Sequence, residues 1–484
     1  MTKDTHALFT DFYELTMANG YFESHKQNEI GYFDLFFRSI PDAGGYAVAA
    51  GQDSVIDYIR NLKFTDDDIA FLRAKTIFSE GFLTYLKDFR FKGDIWMVKE
   101  GSVVFPNEPL IIVRANAIEA QLIETYLLLQ MNHQSLIATK ASRIVRAASG
   151  RTVMEFGARR AHGADSALYG ARAAYIGGVQ GTSLTQADRQ FGIPALGTMA
   201  HSWVQMFESE KQAFVAYAKS YPHNANFLVD TFNVLKSGVP NAIHAVKTVL
   251  WPQGIKSAGI RIDSGDLTYL SKESRKLLDA AGMQDVKIVV SNSLDEWLIT
   301  ELLVQGAKID SFGVGERLIT AKSDPVFGGV YKLVAKESDG IIIPKIKVSE
   351  NPEKLTNPHF KQVWRLYDQT TGIALADLVT LHDEVIDETQ ALEIFDPNLP
   401  HKRKVLTAFK AEQRLEQVFK SGELLIVPPT LEASRNHLKN ELSALWEEVK
   451  RFTNPHKYYV DLSLPLWTCK NELIEEAMRM EDIG

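Results

Sequence analysis

The 484-residue sequence has a single cysteine, Cys469, and no long apolar run. One cysteine can form neither an internal disulfide nor a cysteine-based metal site. The longest apolar stretches, such as YLLLQM at 126–131, fall far short of the ~20 residues that span a bilayer. The opening residues, MTKDTHALFTDFYE, lack a basic segment followed by an apolar one. We therefore expect no signal peptide, no membrane attachment and a reducing, cytoplasmic location.

The sequence also lacks a basic excess, since 53 Lys and Arg stand against 61 Asp and Glu, for a net charge of −8. Proteins that bind nucleic acid usually carry a basic patch, so we expect no nucleic-acid partner. Negative charge also repels anionic substrates, so any phosphate site must be built locally from Arg, Lys and backbone N–H groups. Neither GxxxxGKS nor GxxxxGKT occurs, which excludes a P-loop nucleotide site.

The length predicts two or three domains at ~150 residues each, and 45% apolar and 24% charged residues are ordinary for a globular chain. We divide the chain into regions 1–135, 136–345 and 346–484. In the first region, TDFYELTMANGYF predicts a helix that opens at Thr10 or Asp11, and GYFDLFFRS predicts a strand. VKEGSVVFPNEPLIIVRA predicts a hairpin, and the helical spacing after it predicts a long helix.

The middle region consists of short apolar runs that end in polar or glycine residues, with helical stretches between them. The runs are VMEFGARR, AAYIGGVQGTS, IPALGTMAHSW, NFLVDTF, SAGIRIDSGDL, VKIVVSNSLDE, IDSFGVGERL and GGVYKLVA. Strands that alternate with helices predict a parallel sheet. Seven or eight such units predict a closed α/β barrel, whose chemistry lies at the carboxyl ends of the strands. The third region predicts hairpins and loops, and then a helix from about Leu431.

The segment RIDSGDL is the most informative strand end. Arg261 lies in the apolar run, and Asp263 and Asp266 flank the Ser-Gly turn. Two such carboxylates can hold ribose hydroxyls, or Mg²⁺ through its preference for oxygen. Asp266 can equally cap the helix that follows.

The run IPALGTMAHSW places Thr198, His201 and Ser202 at another strand end. A histidine there can act as a general base, a metal ligand or a phosphoryl acceptor. It can equally be a structural residue bonded to a backbone carbonyl.

Two further strand ends are suited to phosphate. In EFGARRAHG, Arg159 and its neighbour Arg160 suit the bidentate hydrogen bonds of a diphosphate, although a surface ion pair with Glu155 or Asp165 is the alternative. In FGVGERL and GGVYKL, small residues let backbone N–H groups approach a phosphate, although a tight turn explains them equally well. These glycines are Gly313, Gly315, Gly328 and Gly329.

Seven segments, in this order, resemble the nicotinate phosphoribosyltransferase family: TDFYELTMANGY, FDLFFR, EFGARRAHG, GTMAHSW, RIDSGDL, VVSNSLDE, and FGVGERL with PVFGGVYKLV. The resemblance implies a type II phosphoribosyltransferase fold, with an N-terminal α/β sandwich domain, an irregular α/β barrel and a C-terminal extension that partly returns to the first domain. It also implies a homodimer with shared active sites. The implied reaction joins nicotinate to phosphoribosyl diphosphate with Mg²⁺, coupled to ATP hydrolysis through a phosphohistidine, in NAD salvage.

The resemblance also implies roles for individual residues. His201 is similar to the phosphorylated histidine, and Ser202 beside it is placed with the substrate contacts. Tyr13 is similar to the aromatic residue that stacks on the pyridine ring from the partner subunit, although its apolar neighbours on the helix indicate core packing instead. Thr198 and Arg261 resemble the contacts to nicotinate.

The remaining implied roles concern the phosphoribosyl group. Arg159 and Arg38 are expected near the diphosphate or the nicotinate carboxylate, and Asp263 near the ribose. The residues expected to approach the 5-phosphate are Gly313, Gly315 and Gly329. Glu316 departs from relatives that have a small hydroxyl residue there. Because its carboxylate repels phosphate, any contact there must use its backbone N–H with the side chain turned away.

Three other functions remain to be compared with this one. The nearest is another pyridine phosphoribosyltransferase, acting on nicotinamide or quinolinate. A nicotinamide site needs an acceptor such as Asp for the amide, whereas Arg261 and Thr198 are cationic and hydroxylic. A barrel aldolase needs a Schiff-base lysine, for which Lys332 is the one candidate at the polar clusters. A non-catalytic binding protein is expected to have degraded polar strand ends, and here they are intact.

Overall fold

The computed structural model describes residues 5–348 and 355–481. The strands of this part are β1 (Ile30–Phe36), β2 (Ala47–Val48), β3 (Asp94–Val98), β4 (Val103–Val104), β5 (Ile111–Asn116), β6 (Thr152–Glu155), β7 (Asn226–Leu228), β8 (Gly259–Ile262), β9 (Lys287–Ser291), β10 (Ser311–Val314), β11 (Val330–Ser338), β12 (Ile341–Pro344), β13 (Lys361–Asp368), β14 (Ala374–Leu381), β15 (Leu392–Phe395), β16 (Arg403–Leu406), β17 (Phe409–Gln413), β18 (Leu415–Lys420), β19 (Glu423–Leu424) and β20 (Val460–Leu462).

The α-helices of the same part are α1 (Phe12–Glu23), α2 (Gln52–Asn61), α3 (Asp66–Ala74), α4 (Glu80–Lys87), α5 (Ala117–Leu122), α6 (Glu124–Ala147), α7 (Ala164–Ile176), α8 (Thr185–Phe191), α9 (His201–Gln205), α10 (Glu210–Ser220), α11 (Val239–Ala245), α12 (Leu267–Ala280), α13 (Glu296–Val304), α14 (Glu316–Ile319), α15 (Leu431–Ser443) and α16 (Leu464–Glu481). Among the described residues, no helix combines the length and the apolar character that crossing a bilayer requires. The chain divides into two compact units, of which the second is Ile137–Pro325 and the first is formed by the residues on either side of it.

The first unit is built on a seven-stranded sheet in the order β12-β11-β1-β5-β3-β18-β19. The predicted strand GYFDLFFRS forms β1. The predicted hairpin is wrong in its pairing, because its first arm contributes β4, which pairs with β2, and its second arm forms β5, which pairs antiparallel with β1 and β3. GGVYKLVA forms β11, which pairs antiparallel with β1, so its assignment to the parallel barrel is wrong. The predicted long helix is present but is divided into α5 and α6 at Ile123.

The first unit also contains a four-stranded sheet in the order β17-β13-β14-β20. Its apolar core includes Trp364, Leu366, Leu378 and Phe409. The predicted C-terminal helix begins at Leu431 as α15, capped by the hydroxyl of Thr430. The prediction of hairpins followed by a helix is therefore confirmed.

The second unit contains a five-stranded parallel sheet in the order β6-β10-β9-β8-β7. Two parallel bridges extend it beyond β6, first at Thr182 and then at Ala195. The full row is Ala195, Thr182, β6, β10, β9, β8 and β7. Read from β6 through Thr182 and Ala195 and then from β7 to β10, the strands follow the chain order, as they do around a barrel. Between Ala195 and β7 the structure shows no pairing among the described residues. The parallel α/β sheet is confirmed, but the predicted closure is not found.

Two predicted strands of this sheet are wrong in detail. AAYI lies at the end of α7 rather than in a strand, because an alanine-rich run favours a helix until Gly177 and Gly178 end it. In GTS and IPAL only Thr182 and Ala195 form bridges. The apolar runs NFLV, GIRI, KIVVS and SFGV do form strands, as predicted.

Candidate active site

The carboxyl ends of the parallel strands in the second unit carry the polar residues, because all these strands run in the same direction. Asp230 follows β7, Asp263 follows β8, and Ser291 ends β9. Gly315 follows β10, and a short 3-10 turn with Arg159 follows β6. One edge of the sheet therefore brings together residues that lie far apart in the sequence.

The imidazole of His201 is held by a buried carboxylate. His201 Nε2 lies 3.2 Å from Asp230 Oδ1, and the Asp230 side chain is 2% exposed. The other Asp230 oxygen accepts hydrogen bonds from the backbone N–H of Asp263 at 3.0 Å and from the Ser264 hydroxyl at 2.6 Å. Because a carboxylate accepts hydrogen bonds, this contact favours the tautomer of His201 that has its proton on Nε2 and its lone pair on Nδ1.

Arg261 connects three of the neighbouring segments. Its guanidinium donates to Ser291 Oγ at 2.9 Å and to Thr198 Oγ1 at 2.9 Å. It also forms an ion pair with Asp263 Oδ1 at 3.1 Å. The Ser291 hydroxyl in turn donates to Asp263. The structure thus brings together the predicted residues Thr198, Arg261 and Asp263.

Phe156 and Gly313 form the packing layer next to this arginine. The guanidinium carbon of Arg261 lies 5.8 Å from the centre of the Phe156 ring. A Cβ atom at Gly313 would lie 2.5 Å from the same ring. The absent side chain of Gly313 therefore makes room for Phe156 inside the sheet.

Asp266 caps α12, since its Oδ1 accepts a hydrogen bond from the backbone N–H of Tyr269 at 3.0 Å. The capping interpretation is confirmed, and a metal role for Asp266 stays a prediction. Within the part of the chain that the structure describes, no three His, Cys, Asp or Glu side chains lie close enough to hold a metal ion together. Because Mg²⁺ typically takes only one or two carboxylates and completes its shell with water and substrate phosphate, a role for Asp263 beside it also stays a prediction.

Arg159 and Arg160 lie exposed in the 3-10 turn after β6. Neither side chain forms an ion pair or a hydrogen bond with any described residue, so the predicted ion pair with Glu155 or Asp165 is not found. The Glu155 carboxylate is buried and instead accepts from the Thr182 hydroxyl at 2.6 Å. Both guanidinium groups are therefore accessible to an anionic ligand, and Arg160 also lies near enough to the Glu316 carboxylate to help lower its pKa.

In the loop after β10, a lysine binds the carboxylate of Glu316. Glu316 Oε1 lies 2.6 Å from Lys322 Nζ, and this hydrogen bond lowers the pKa of Glu316. Arg317 pairs with Asp295, whose other oxygen caps α13. These contacts order the loop that begins at Gly315.

A buried ion cluster supports the loop after β9. The Glu296 side chain is fully buried and lies 3.0 Å from Lys140 Nζ and 2.8 Å from Arg143 Nε. In the same loop Asn292 and Ser293 have φ values of 96° and 50°, a region that non-glycine residues adopt at a cost. The cluster fixes the start of α13 and so holds this strained turn in place.

The other predicted residues are placed as follows. Ser202 is exposed on α9, beside His201. Tyr13, Arg38 and Gly329 belong to the first unit. Tyr13 is 47% exposed, which contradicts the core-packing alternative. The backbone N–H of Gly329 donates to Asn132 Oδ1 at 2.8 Å.

The sequence reasoning missed Asp230 and Ser291. Both stand at the end of an apolar run, in NFLVDTF and VKIVVSNSLDE, so the rule that selected Asp263 could also have selected them. Their partners, His201 and Arg261, are about 30 residues away in the chain. Only the folded sheet shows those contacts.

Family models match the chain in three consecutive parts. These describe the nicotinate phosphoribosyltransferase N-terminal domain at residues 8–132, the family itself at 152–335 and the C-terminal domain at 360–470. The nicotinate phosphoribosyltransferase of Bacillus subtilis strain 168 is 44% identical over 474 residues, which cover 98% of this chain and 96% of that protein. The chain belongs to the nicotinate phosphoribosyltransferase family. It is therefore an enzyme of NAD biosynthesis, and its substrates are nicotinate and phosphoribosyl diphosphate.

Other relatives agree with this family. The human nicotinate phosphoribosyltransferase is 32% identical over 524 residues, which cover 96% of each chain. The crystal structure of human nicotinic acid phosphoribosyltransferase superposes with a TM-score of 0.84 at 29% identity, covering 96% of this chain and 99% of that one. A nicotinate-nucleotide pyrophosphorylase from Pyrococcus furiosus, with a TM-score of 0.69 at 23% identity over 91% of this chain and 96% of that one, shares the fold. The type II phosphoribosyltransferase fold expected from the sequence is confirmed.

Proposed function

We propose that this family member couples the joining of nicotinate and phosphoribosyl diphosphate to ATP hydrolysis through a phosphorylated His201, with Mg²⁺. The observation that supports this proposal is the contact between His201 Nε2 and the buried Asp230 carboxylate. A merely structural histidine needs no buried carboxylate and would not be 43% exposed at the carboxyl edge of the sheet.

The contact supports Nδ1 as the phosphoryl acceptor. With the proton on Nε2, the Nδ1 lone pair attacks the γ-phosphorus of ATP, a P–N bond forms, and the P–O bond to ADP breaks. The ring becomes positively charged, and Asp230 stabilises that charge. Water later attacks the phosphorus, the P–N electron pair returns to Nδ1, and phosphate leaves.

The transfer itself breaks the C–O bond at the anomeric carbon of the ribose. Diphosphate leaves easily once its charge is neutralised, a role we assign to Arg159 and Arg38, and bound Mg²⁺ would supply further positive charge. The pyridine nitrogen of nicotinate attacks without losing a proton, so no general base is needed. We assign Arg261 and Thr198 to nicotinate, Asp263 to the ribose and the backbone from Gly315 to the 5-phosphate.

Coupling requires that phosphorylation change the affinity for substrate. A phosphoryl dianion on Nδ1 would attract Mg²⁺ and the exposed arginines, which tightens binding of the diphosphate substrate. Hydrolysis removes that charge and weakens binding of the products. We assign Ser202, which follows His201 on α9, to the same phosphates.

We also propose that the enzyme is a cytoplasmic homodimer. The first unit exposes Phe9, Phe12, Tyr13 and Met17 in its N-terminal segment, with 39–51% of each side chain accessible. Contiguous exposed apolar groups of this kind indicate an interaction surface. In the dimer Tyr13 would stack on nicotinate in the partner's site. A single cysteine suits a reducing compartment.

The test measures nicotinate mononucleotide formed from phosphoribosyl diphosphate and Mg²⁺, with either nicotinate or nicotinamide, with and without ATP. We expect product from nicotinate, formed faster with ATP and accompanied by ADP. His201→Ala should lose ATP hydrolysis but keep slow, ATP-independent transfer. Equal rates with and without ATP, or equal loss of both activities in a folded variant, would contradict the proposal.

A further inference from the structure

A buried acid fastens the beginning of α1 to the beginning of α6. Glu14 is fully buried, although it lies in the first turn of a surface helix. The hydroxyl of Thr10 donates to Glu14 Oε2, and the hydroxyl of Thr125 donates to Glu14 Oε1 at 2.5 Å. Both carboxylate oxygens are therefore occupied.

Thr125 makes a second bond to the same helix. Its Oγ1 accepts a hydrogen bond from the backbone N–H of Asp11 at 3.1 Å. The side chain of Asp11, one of the two residues at which the helix is predicted to open, makes no capping bond. Thr10, Glu14 and Thr125 thus hold the N-terminal end of α1. We name these three residues the α1–α6 clasp.

Tyr13 directly precedes Glu14 on α1, and its side chain is 47% exposed. Burial and the neighbouring carboxylate of Glu124 raise the pKa of the Tyr13 hydroxyl. Glu124 is itself fixed by Gln121, whose amide donates to it at 2.9 Å, and is close to Lys332. The tyrosine ring is therefore constrained through its backbone by the clasp and at its hydroxyl by Glu124.

We propose that Thr10, Glu14 and Thr125 are positioning residues for nicotinate binding, because they set the place from which Tyr13 reaches the pyridine ring. The inference rests on the stacking role of Tyr13 proposed above. Stacking depends strongly on ring position, so a shifted helix would weaken binding of nicotinate. Binding of phosphoribosyl diphosphate does not depend on that ring.

The test compares the steady-state KM for nicotinate with the KM for phosphoribosyl diphosphate in the full-length enzyme. Thr125→Val removes the hydroxyl that makes two of the three hydrogen bonds at the clasp while keeping the shape of the side chain. We expect the KM for nicotinate to rise about tenfold, the change that one or two ordinary hydrogen bonds produce. The KM for phosphoribosyl diphosphate and kcat should change less than about twofold, and Thr125→Ser should restore the KM for nicotinate.

Thr84→Val is the matched control, since the Thr84 hydroxyl bonds only to the backbone of its own helix α4. If Thr125→Val behaves like this control, or if all constants change together, the positioning role is wrong. Folding of each variant is checked by circular dichroism. If Thr125→Val does not fold, Thr10→Val and Thr10→Ser replace Thr125→Val and Thr125→Ser in the comparison. Tyr13→Ala separates the two proposals: an unchanged KM for nicotinate in that variant refutes the stacking role itself. If Tyr13→Ala raises the KM for nicotinate but Thr125→Val does not, only the positioning role of the clasp is refuted.

Discussion

Replacing Asp230 by Asn should slow phosphorylation of His201 far more than it slows phosphoribosyl transfer. The asparagine keeps the size of the side chain but removes its charge and turns one acceptor into a donor. Asp230 now accepts from His201 and, through its other oxygen, from Asp263 and Ser264. If the amide oxygen of the asparagine keeps the bonds from Asp263 and Ser264, its N–H₂ group faces Nε2 of His201. Nε2 must then accept a hydrogen bond, and the imidazole proton moves to Nδ1.

The expected size follows from these bonds. A hydrogen bond to a charged group contributes about 1.5–3 kcal/mol, which corresponds to a rate about 10- to 150-fold lower. Because the tautomer also changes, this range is the lower end of the expected loss. In serine proteases the corresponding Asp-to-Asn change, which leaves the wrong tautomer, costs about 10⁴-fold.

The assay is incorporation of labelled γ-phosphate from ATP into the protein in a single turnover. In parallel, formation of nicotinate mononucleotide is followed without ATP. Ser264→Ala is the control, since it removes one of the other bonds to Asp230 and leaves the charge. Labelling of Asp230→Asn at the wild-type rate would refute the tautomer argument, and so would an equal loss of labelling and ATP-independent transfer.

Three further predictions concern stability and packing. Glu296→Gln leaves two buried cations without a charged partner and should lower the free energy of unfolding by about 3–5 kcal/mol in urea titrations. Glu14→Gln should gain stability relative to wild type as the pH rises from about 4.5 to 7, because burial raises the pKa of Glu14 to about 7. Gly313→Ala should displace Phe156 and lower stability by about 1–3 kcal/mol, together with a higher KM for nicotinate.

Each of these has a result that contradicts it. Glu273, which is 31% exposed and pairs with the exposed Lys276 on one helix turn, is the control for the buried acid. Glu273→Gln should cost less than about 1 kcal/mol. A similar small cost at Glu296 would disprove the role of the buried cluster. For Glu14 the direction in which stability changes with pH decides the question. Its folded pKa lies above the unfolded value, so the folded chain binds more protons and wild type loses stability through that pH window. A pH-independent difference would contradict the burial argument.

For Gly313 the contradicting result is an alanine variant with the stability and KM of wild type. Gly150→Ala tests a glycine where an added Cβ meets nothing within 4 Å. Its backbone φ is positive, so this variant reports the cost of conformation alone. The comparison separates crowding against Phe156 from backbone strain.

The sequence was sufficient to predict strand positions where an apolar run is short, β-branched and followed by polar residues. GIRI before Asp263 and KIVVS before Asn292 are such runs, and both are strands. AAYI failed because an apolar run alone does not distinguish a strand from a buried helix end. GGVYKLVA failed for another reason: its strand is real, but a local pattern does not show which sheet a strand joins.

The candidate site was predictable to the extent that single residues at strand ends carry the chemistry. His201, Arg261, Thr198 and Asp263 do lie at one edge of the sheet. Asp230 could not be recognised as the partner of His201, because that contact depends on how two segments are brought together by folding. Glu14 was missed for a similar reason, since its burial is decided by α6.

The central claim is that His201 accepts a phosphoryl group from ATP on Nδ1. Its most direct test is to incubate the enzyme with ATP and Mg²⁺ at low temperature and locate the phosphate on peptides, at neutral pH, by mass spectrometry and phosphorus NMR. We predict one acid-labile phosphoryl group per chain, on Nδ1 of His201, which disappears when nicotinate and phosphoribosyl diphosphate are added. Phosphate on Nε2, phosphate on another residue, or no phosphate in an enzyme whose transfer is accelerated by ATP would contradict the claim.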